Sequence, residues 1–365
     1  MKVTAKRIGS GLLSWLKGGS LLFSVSAFIL SLLIAAVIIL VSGFNPLKSY
    51  MALMVGAFGS WDNIATTLGT ATPLIFAGLS VSIGKRAGFF NIGVEGQLLT
   101  GTLAAAIIGA YVKGLPAFIH IPLCFAGAWL VGGLIGVFSV KLKQIMKVSE
   151  LIITVMLNYV ILYLVDLIVN RFFLKPPGHL VRTIDIQKSA RLATLVPHTR
   201  LNTGIFIAIL AVAFLWWIYH KTRFGYEVTA AGLNKKAAET GGIRINRKVA
   251  LAMFISGGLA AMGGAVETMG VHGFYIANMS AGYGYDGLTI SIMGAGSPVG
   301  STIAAVLFGA LRAGSSNMNR TTNIPGEFIT ILQALVILFV STPHLISFIF
   351  DKLSRKKALD CEVSG

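Results

Sequence analysis

The side chains able to do chemistry are few, and most lie inside apolar runs. The stretch Phe89-Phe-Asn91-Ile-Gly-Val-Glu95-Gly-Gln97 brings two amides and a carboxylate close together. Asn91 can cap the helix that follows, and on a helical wheel Asn91, Glu95 and Thr102 lie within about 40° of one another. A carboxylate in such a run is costly in lipid and faces a bundle interior or a water-filled path. Glu95 therefore either lines a path for a polar solute or satisfies donors at a helix start. Asn158 and Asp166 share another apolar run, and Glu267 lies in the outer third of a third run beside Gly263 and Gly264. Asp286 begins a run broken by Gly294-Ala-Gly296-Ser-Pro298-Val-Gly300. A broken helix turns backbone groups toward a cavity, so Asp286 suits a translocation path; an N-cap role suits it equally. Phe89, Phe90, Tyr283 and Tyr285 can stack on a flat ring or anchor the chain at an interface.

Bond-breaking chemistry finds no support in the motifs. Gly84-Lys85 is followed by Arg86, and no Gly-x-x-x-x-Gly-Lys-Ser/Thr occurs, so no P-loop for ATP is expected. No His-Glu-x-x-His or Gly-x-Ser-x-Gly is present either. The 6 histidines lack paired ligand spacing, and Cys124 and Cys361 lie far apart, so neither a metal site nor a disulfide framework follows.

A polar island over 223–248 stands between two apolar runs. Within it Asn234 is a good N-cap, Lys235 to Thr240 can form a short helix, and Gly241-Gly242 stops it. Ala237 and Ala238 make one face small and smooth, suited to a groove on a partner. An ordinary basic cytoplasmic loop is the other reading.

These residues must be positioned by membrane helices. The chain is 55% hydrophobic and only 12% charged, with a mean hydropathy of +0.80. Soluble domains carry roughly twice that charged fraction. The fold class is therefore all-α and polytopic, with 1–365 as one transmembrane domain. Apolar runs fall at about 20–42, 64–83, 92–112, 119–140, 150–170, 203–220, 249–271 and 326–350, with two short segments between 286 and 313, giving about ten membrane segments. Lys2, Lys6, Arg7 and Lys17 precede a run too long for a signal-peptide core, which predicts an uncleaved first span.

The net charge of +17 comes mostly from bases flanking apolar runs, which argues for cytoplasmic anchoring and against nucleic acid. With both termini cytoplasmic, Lys85-Arg86, Lys141/Lys143/Lys147, the bases from Lys221 to Lys248 and Lys352/Arg355/Lys356/Lys357 all fall inside. The basic loop 171–202, with Pro176-Pro177 and Pro197, is the exception. It falls outside and is suited to meeting an extracytoplasmic partner.

Glycine is abundant, with 42 residues, and small residues let membrane helices approach closely. Gly257, Ala261 and Gly264 form one smooth face. Gly78-Leu-Ser-Val-Ser-Ile-Gly84 and Gly287-Leu-Thr-Ile-Ser-Ile-Met-Gly294 look alike, either as a repeat or by chance.

Three motifs carry a family resemblance. Ala-Ala-Gly232-Leu-Asn234 followed by Ala237-Ala238 and Gly242-Ile243 resembles the coupling segment of membrane subunits of ABC importers. Gly88-Phe-Phe-Asn-Ile-Gly-Val-Glu-Gly-Gln97 and Gly282-Tyr-Gly-Tyr-Asp286, with Pro298-Val-Gly300 beyond it, resemble the nucleoside and simple-sugar branch of the branched-chain amino acid/ribose-type permeases. Tyr285 stands where that branch has Phe, and Leu288-Thr-Ile-Ser replaces Ile-Ala-Val-Ala; the added hydroxyls bear on which solute is carried.

The resemblance implies a type II-like permease of a bacterial cell membrane that imports nucleosides, with a ribose-like sugar or riboflavin as alternatives. It implies a solute-binding protein outside, a second permease chain (a paralogue or a copy), and ATP held by separate cytoplasmic ATPase subunits. No cofactor is expected on this chain. The coupling residues would be Gly232, Asn234, Ala237, Ala238, Glu239, Gly242 and Ile243. The candidate path residues are Phe89, Asn91, Glu95, Gln97, Asn158, Glu267 and Asp286. An ion-coupled secondary transporter is the rival of another class, with Glu95, Glu267 and Asp286 as coupling acids.

Overall fold

The computed structural model describes residues 21–174, 182–277, 280 and 282–341. The terminal basic clusters, Cys361 and Lys175-Pro176-Pro177 lie outside these residues. The chain divides into two compact units, Met1–Leu53 with Ser315–Gly365, and Met54–Gly314.

The described chain is helical: α1 Leu21–Val41, α2 Pro46–Phe58, α3 Trp61–Arg86, α4 Val94–Tyr111, α5 Ala117–Met146, α6 Glu150–Ile168, α7 Gly204–Lys221, α8 Arg223–Leu233, α9 Lys235–Thr240, α10 Ile245–Glu267, α11 Tyr283–Met293, α12 Pro298–Thr322 and α13 Glu327–Ser341. Single π turns extend α6 to Phe173 and α10 to His272. Among the described residues, 6 helices are long and apolar enough to cross a membrane: α3, α5, α6, α7, α10 and α12, counting the π turns.

Three features depart from expectation. The second of the two short segments placed between 286 and 313 is not short: only the first, α11, is, and α12 runs 25 residues. The break is confined to the turn 294–297, where Ala295 (φ 52) and Gly296 (φ 67) reverse the chain. Pro298 then starts a helix, where its missing N–H costs nothing. The island 223–248 is mostly helical, α8 preceding α9. The chain 46–58, assigned no element from sequence, forms α2.

In the smaller unit α1 packs on α13. Phe44 meets Phe328 edge-on at 6.2 Å, and the Tyr50 hydroxyl donates to the Leu32 carbonyl at 2.6 Å. The larger unit is built around α10, which contacts α3, α4 and α5 along its length. Small residues set those distances. A Cβ on Gly257 would lie 2.1 Å from the Gly132 carbonyl oxygen of α5, and one on Gly264 would lie 2.2 Å from the Leu98 carbonyl oxygen of α4. With no hydrophobic drive between helices in lipid, such close backbone approach lets van der Waals packing hold the helices together. The two look-alike segments pack on each other: Gly78 faces Ile290, Gly287 faces Ala77, and the Ser82 and Ser291 hydroxyls meet at 2.9 Å.

At one end of this unit the loop from Arg182 to Thr203 lies over the helix ends. Its backbone bonds Thr183 N to Tyr275 O (3.0 Å), Ile186 N to Gly273 O (2.8 Å) and Leu192 N to Met269 O (3.0 Å). His120 of α5 holds the loop through Ser189 at 2.8 Å. The opposite end of the unit carries Lys85, Arg86, α8 and α9.

Candidate translocation site and coupling segment

Two helices of the larger unit begin inside the bundle, and their starts face each other. After α3 ends, Gly88 (φ +69) turns the chain back, and residues 87–93 re-enter the bundle before α4 starts at Val94. Backbone that is not helical at membrane depth must find partners within the protein. Asn158 of α6 supplies them: its Oδ1 accepts from Gly96 N at 2.9 Å and its Nδ2 donates to Ile92 O at 2.8 Å. The Thr154 hydroxyl accepts from Ile92 N at 3.3 Å.

Asn91 does not cap α4. The N-cap is Gly93, and Asn91 is buried one turn before the helix. Its Oδ1 accepts from Gly93 N (3.0 Å), while its Nδ2 donates to Gln97 Oε1 and Ser256 Oγ, both at 2.9 Å. The common face expected for Asn91, Glu95 and Thr102 therefore does not form, because the turn at Gly88 (φ +69) sends the chain through the bundle unwound and leaves Asn91 outside the helix. Gln97 is fully buried, and its Nε2 has no hydrogen-bond partner among the described residues.

Glu95 reaches across to the other broken helix. Its Oε2 accepts from Gly284 N at 2.7 Å, in the first turn of α11. A Cβ on Gly284 would lie 2.4 Å from the Glu95 backbone, so the two helix starts touch directly. The carboxylate sits where the α11 dipole is positive. Asp286 is not an N-cap: Gly282 (φ +81) precedes the helix and Asp286 lies within its first turn. Arg312 of α12 binds Asp286 Oδ2 through Nε at 2.9 Å and Nη2 at 2.8 Å, and its guanidinium covers the Tyr283 ring at 4.6 Å. Glu267, at the C-terminal end of α10, is buried between Arg200 (3.6 Å) and His272 (3.4 Å). Asp166 accepts from the Tyr275 hydroxyl at 3.0 Å.

Glu95, Asn158 and Asp286 thus converge at the two broken starts, and Glu267 lies toward the loop-covered end. Phe89 does not join them. It is buried with Ala231, Ala238, Ile245, Val249 and Met253 beneath the polar island. Arg312, Arg200 and His272 were not singled out from the sequence. Arg312 carried a readable signal, since an arginine inside an apolar 25-residue segment demands a counter-ion. Among the described residues no group of three His, Cys, Asp or Glu side chains could hold a metal ion.

The island is tied to the re-entrant segment. Gly232 packs backbone to backbone on it: a Cβ there would lie 2.1 Å from Arg86 O and 3.0 Å from Gly88 N. Asn234 caps α9 through Ala237 N at 3.2 Å, and Gly242 (φ +80) ends it, which an L side chain would resist. The smooth face expected for docking is divided. Ala238 is 5% exposed and packs on Phe89 and Met253, whereas Ala237 is exposed. The reason is the turn at Gly241-Gly242, which folds Ile243 back so that the Ala238 side closes on the chain's own core. Glu239 is exposed and Ile243 half-buried. Beside α9, an open cleft of about 970 Å³ is lined by Arg86, Lys221, Arg223, Tyr226 and Leu233 among others.

Residues 63–341 match the family described as branched-chain amino acid transport system / permease component. The chain belongs to this family. Among its relatives, a guanosine ABC transporter permease protein of Bacillus subtilis is 36% identical, with 93% of this chain and 98% of the relative aligned. A nucleoside ABC transporter permease protein of Lactococcus lactis is 31% identical over 94% of this chain and 96% of the relative. A glucose ABC transporter permease protein of Haloferax volcanii is 31% identical over 90% of this chain and 88% of the relative. Within this permease family, the buried acids and amides described above sit in the part of the chain that the family match covers.

Proposed function

We propose that this permease is the membrane-spanning subunit of an ATP-driven importer of nucleosides. The near-full-length similarity to the guanosine permease of Bacillus subtilis carries the choice of solute. The glucose permease relative keeps a simple sugar as the second reading. The chain lies in the bacterial cell membrane with both termini in the cytoplasm. Its ten membrane segments are the six long spans with α1, α4, α11 and α13. It holds no ATP of its own; separate ATPase subunits bind the nucleotide, a second permease chain completes the path, and a solute-binding protein delivers from outside.

The coupling residues Gly232, Asn234, Ala237, Glu239 and Gly242 belong to the 223–248 segment that meets the ATPase. Ala238 and Ile243 seat that segment on Phe89. Because Gly232 touches Gly88 backbone to backbone, a rigid shift of α8 and α9 pushes the re-entrant segment 87–93. That segment carries Asn91 and leads into Glu95, which holds the start of α11. Shear of packed elements of this kind is an ordinary way to move a gate. The loop 171–202 faces the binding protein.

Deleting the chain is expected to abolish uptake of labelled guanosine while leaving glucose and riboflavin uptake unchanged. Loss of glucose uptake with guanosine uptake intact would move the assignment to the sugar.

A further inference from the structure

Three tyrosines, Tyr159, Tyr163 and Tyr285, lie where membrane proteins rarely leave one open, and Tyr159 and Tyr285 neighbour each other. Tyr159 is near the middle of the 24-residue span Glu150–Phe173, about 14 Å along the helix and so near the centre of a ~30 Å hydrocarbon core. Its side chain is 53% exposed. Tyr285, in the first turn of α11, is 42% exposed. It is held at the same depth, because Asn158 grips Gly96 N and Glu95 grips Gly284 N. Tyr285 neighbours Glu95 and Tyr159, and its hydroxyl interacts with the Asn158 side chain.

Tyrosine concentrates at the membrane–water boundary, where the ring is dry and the hydroxyl wet. At mid-depth against lipid, the Tyr159 hydroxyl would lack any partner, which is costly. Along this side of α6 the exposed Ile152, Met156, Val160 and Leu167 are apolar and carry no such cost, whereas Tyr163, one turn beyond Tyr159 and also exposed, carries the same cost and extends the open phenol face. The phenols of Tyr159 and Tyr285, with Asn158 and Glu95 behind them, therefore face water or solute.

We infer that Tyr159 and Tyr285 form the subsite that takes the flat base of the solute, with Asn158 and Glu95 beside its polar edge. Exposed aromatic faces stack on any nucleobase, and the neighbouring amide and carboxylate offer hydrogen bonds to ring nitrogens and exocyclic groups. The rings are open on one side of this chain, so the second permease chain closes the subsite. This rests on the nucleoside reading above and adds the residues that recognise the base.

The test uses the complete transporter. Tyr285→Ala and Tyr159→Ala should each raise the KM for guanosine about 10-fold, with Vmax and co-purification of the ATPase subunits within about twofold. The Phe replacements, which keep the stacking face, should stay within about threefold. In a Cys124→Ser, Cys361→Ser background, Tyr159→Cys and Tyr285→Cys should react with a small water-soluble methanethiosulfonate, and guanosine should slow the reaction. Wild-type KM in both Ala variants, or cysteines silent to the reagent, would overturn the inference while leaving guanosine transport by the wild type intact. Wild-type transporter that takes up no nucleoside would instead sink the functional reading.

Discussion

Arg312→Leu is expected to remove transport and to lower the stability of the purified permease. Asp286 is buried, and Arg312 is the counter-ion that the structure gives it. Removing one member of a buried ion pair leaves the other charge uncompensated and costs about 3–5 kcal/mol. Replacing both members with apolar residues is often neutral for folding. The double variant Asp286→Leu, Arg312→Leu should therefore recover most of the thermal stability lost in Arg312→Leu, without recovering guanosine uptake. Thermal unfolding of the detergent-purified protein reads the first effect and cell uptake the second. Equal stability losses in the single and double variants would show that the two side chains are not coupled.

Ala238→Asp and Ala237→Asp should fail in different ways. Ala238 lies among Phe89, Ala231 and Met253, and a carboxylate there has no partner. Burying it costs several kcal/mol, on the order of 3, so α9 should leave its seat. Both ATPase co-purification and thermal stability should fall. Ala237 is exposed on the same short helix, so Ala237→Asp should leave stability within about 0.5 kcal/mol of wild type. If α9 meets the ATPase, it should nonetheless reduce co-purification and uptake. Lys235→Ala, at an exposed charge, should change neither. Normal association in Ala237→Asp would move the ATPase contact elsewhere, the open cleft lined by Tyr226 and Leu233 being the next surface to test.

The helices with long apolar runs were legible because span length and hydropathy are properties of the sequence alone. Asn234 and Gly242 were legible for a similar reason, since capping and positive φ depend on residue type and local spacing. Asn91 was misplaced because its type fits a cap. Gly88, at positive φ, allows a re-entrant turn instead, and only partners distant in sequence, Ser256 and Asn158, show where the chain goes. Ala238 was assigned to the wrong side for a related reason. A six-residue helix has no periodicity long enough to reveal its buried face, and that face is decided by Phe89 and Met253. The Asp286–Arg312 pair joins two helices through residues 26 apart in sequence, and spacing within either helix does not predict it.

On the proposed function, this permease moves nucleoside at the expense of ATP hydrolysed by another subunit. The most direct measurement reconstitutes the purified transporter, with its binding protein outside and ATP inside the vesicles, and follows labelled guanosine. Accumulation that requires ATP, survives collapse of ion gradients and is absent when the ATPase subunits are omitted is the expected result. Accumulation by this chain driven by an ion gradient, without ATP or the ATPase subunits, would contradict the account and make Glu95, Glu267 and Asp286 coupling acids.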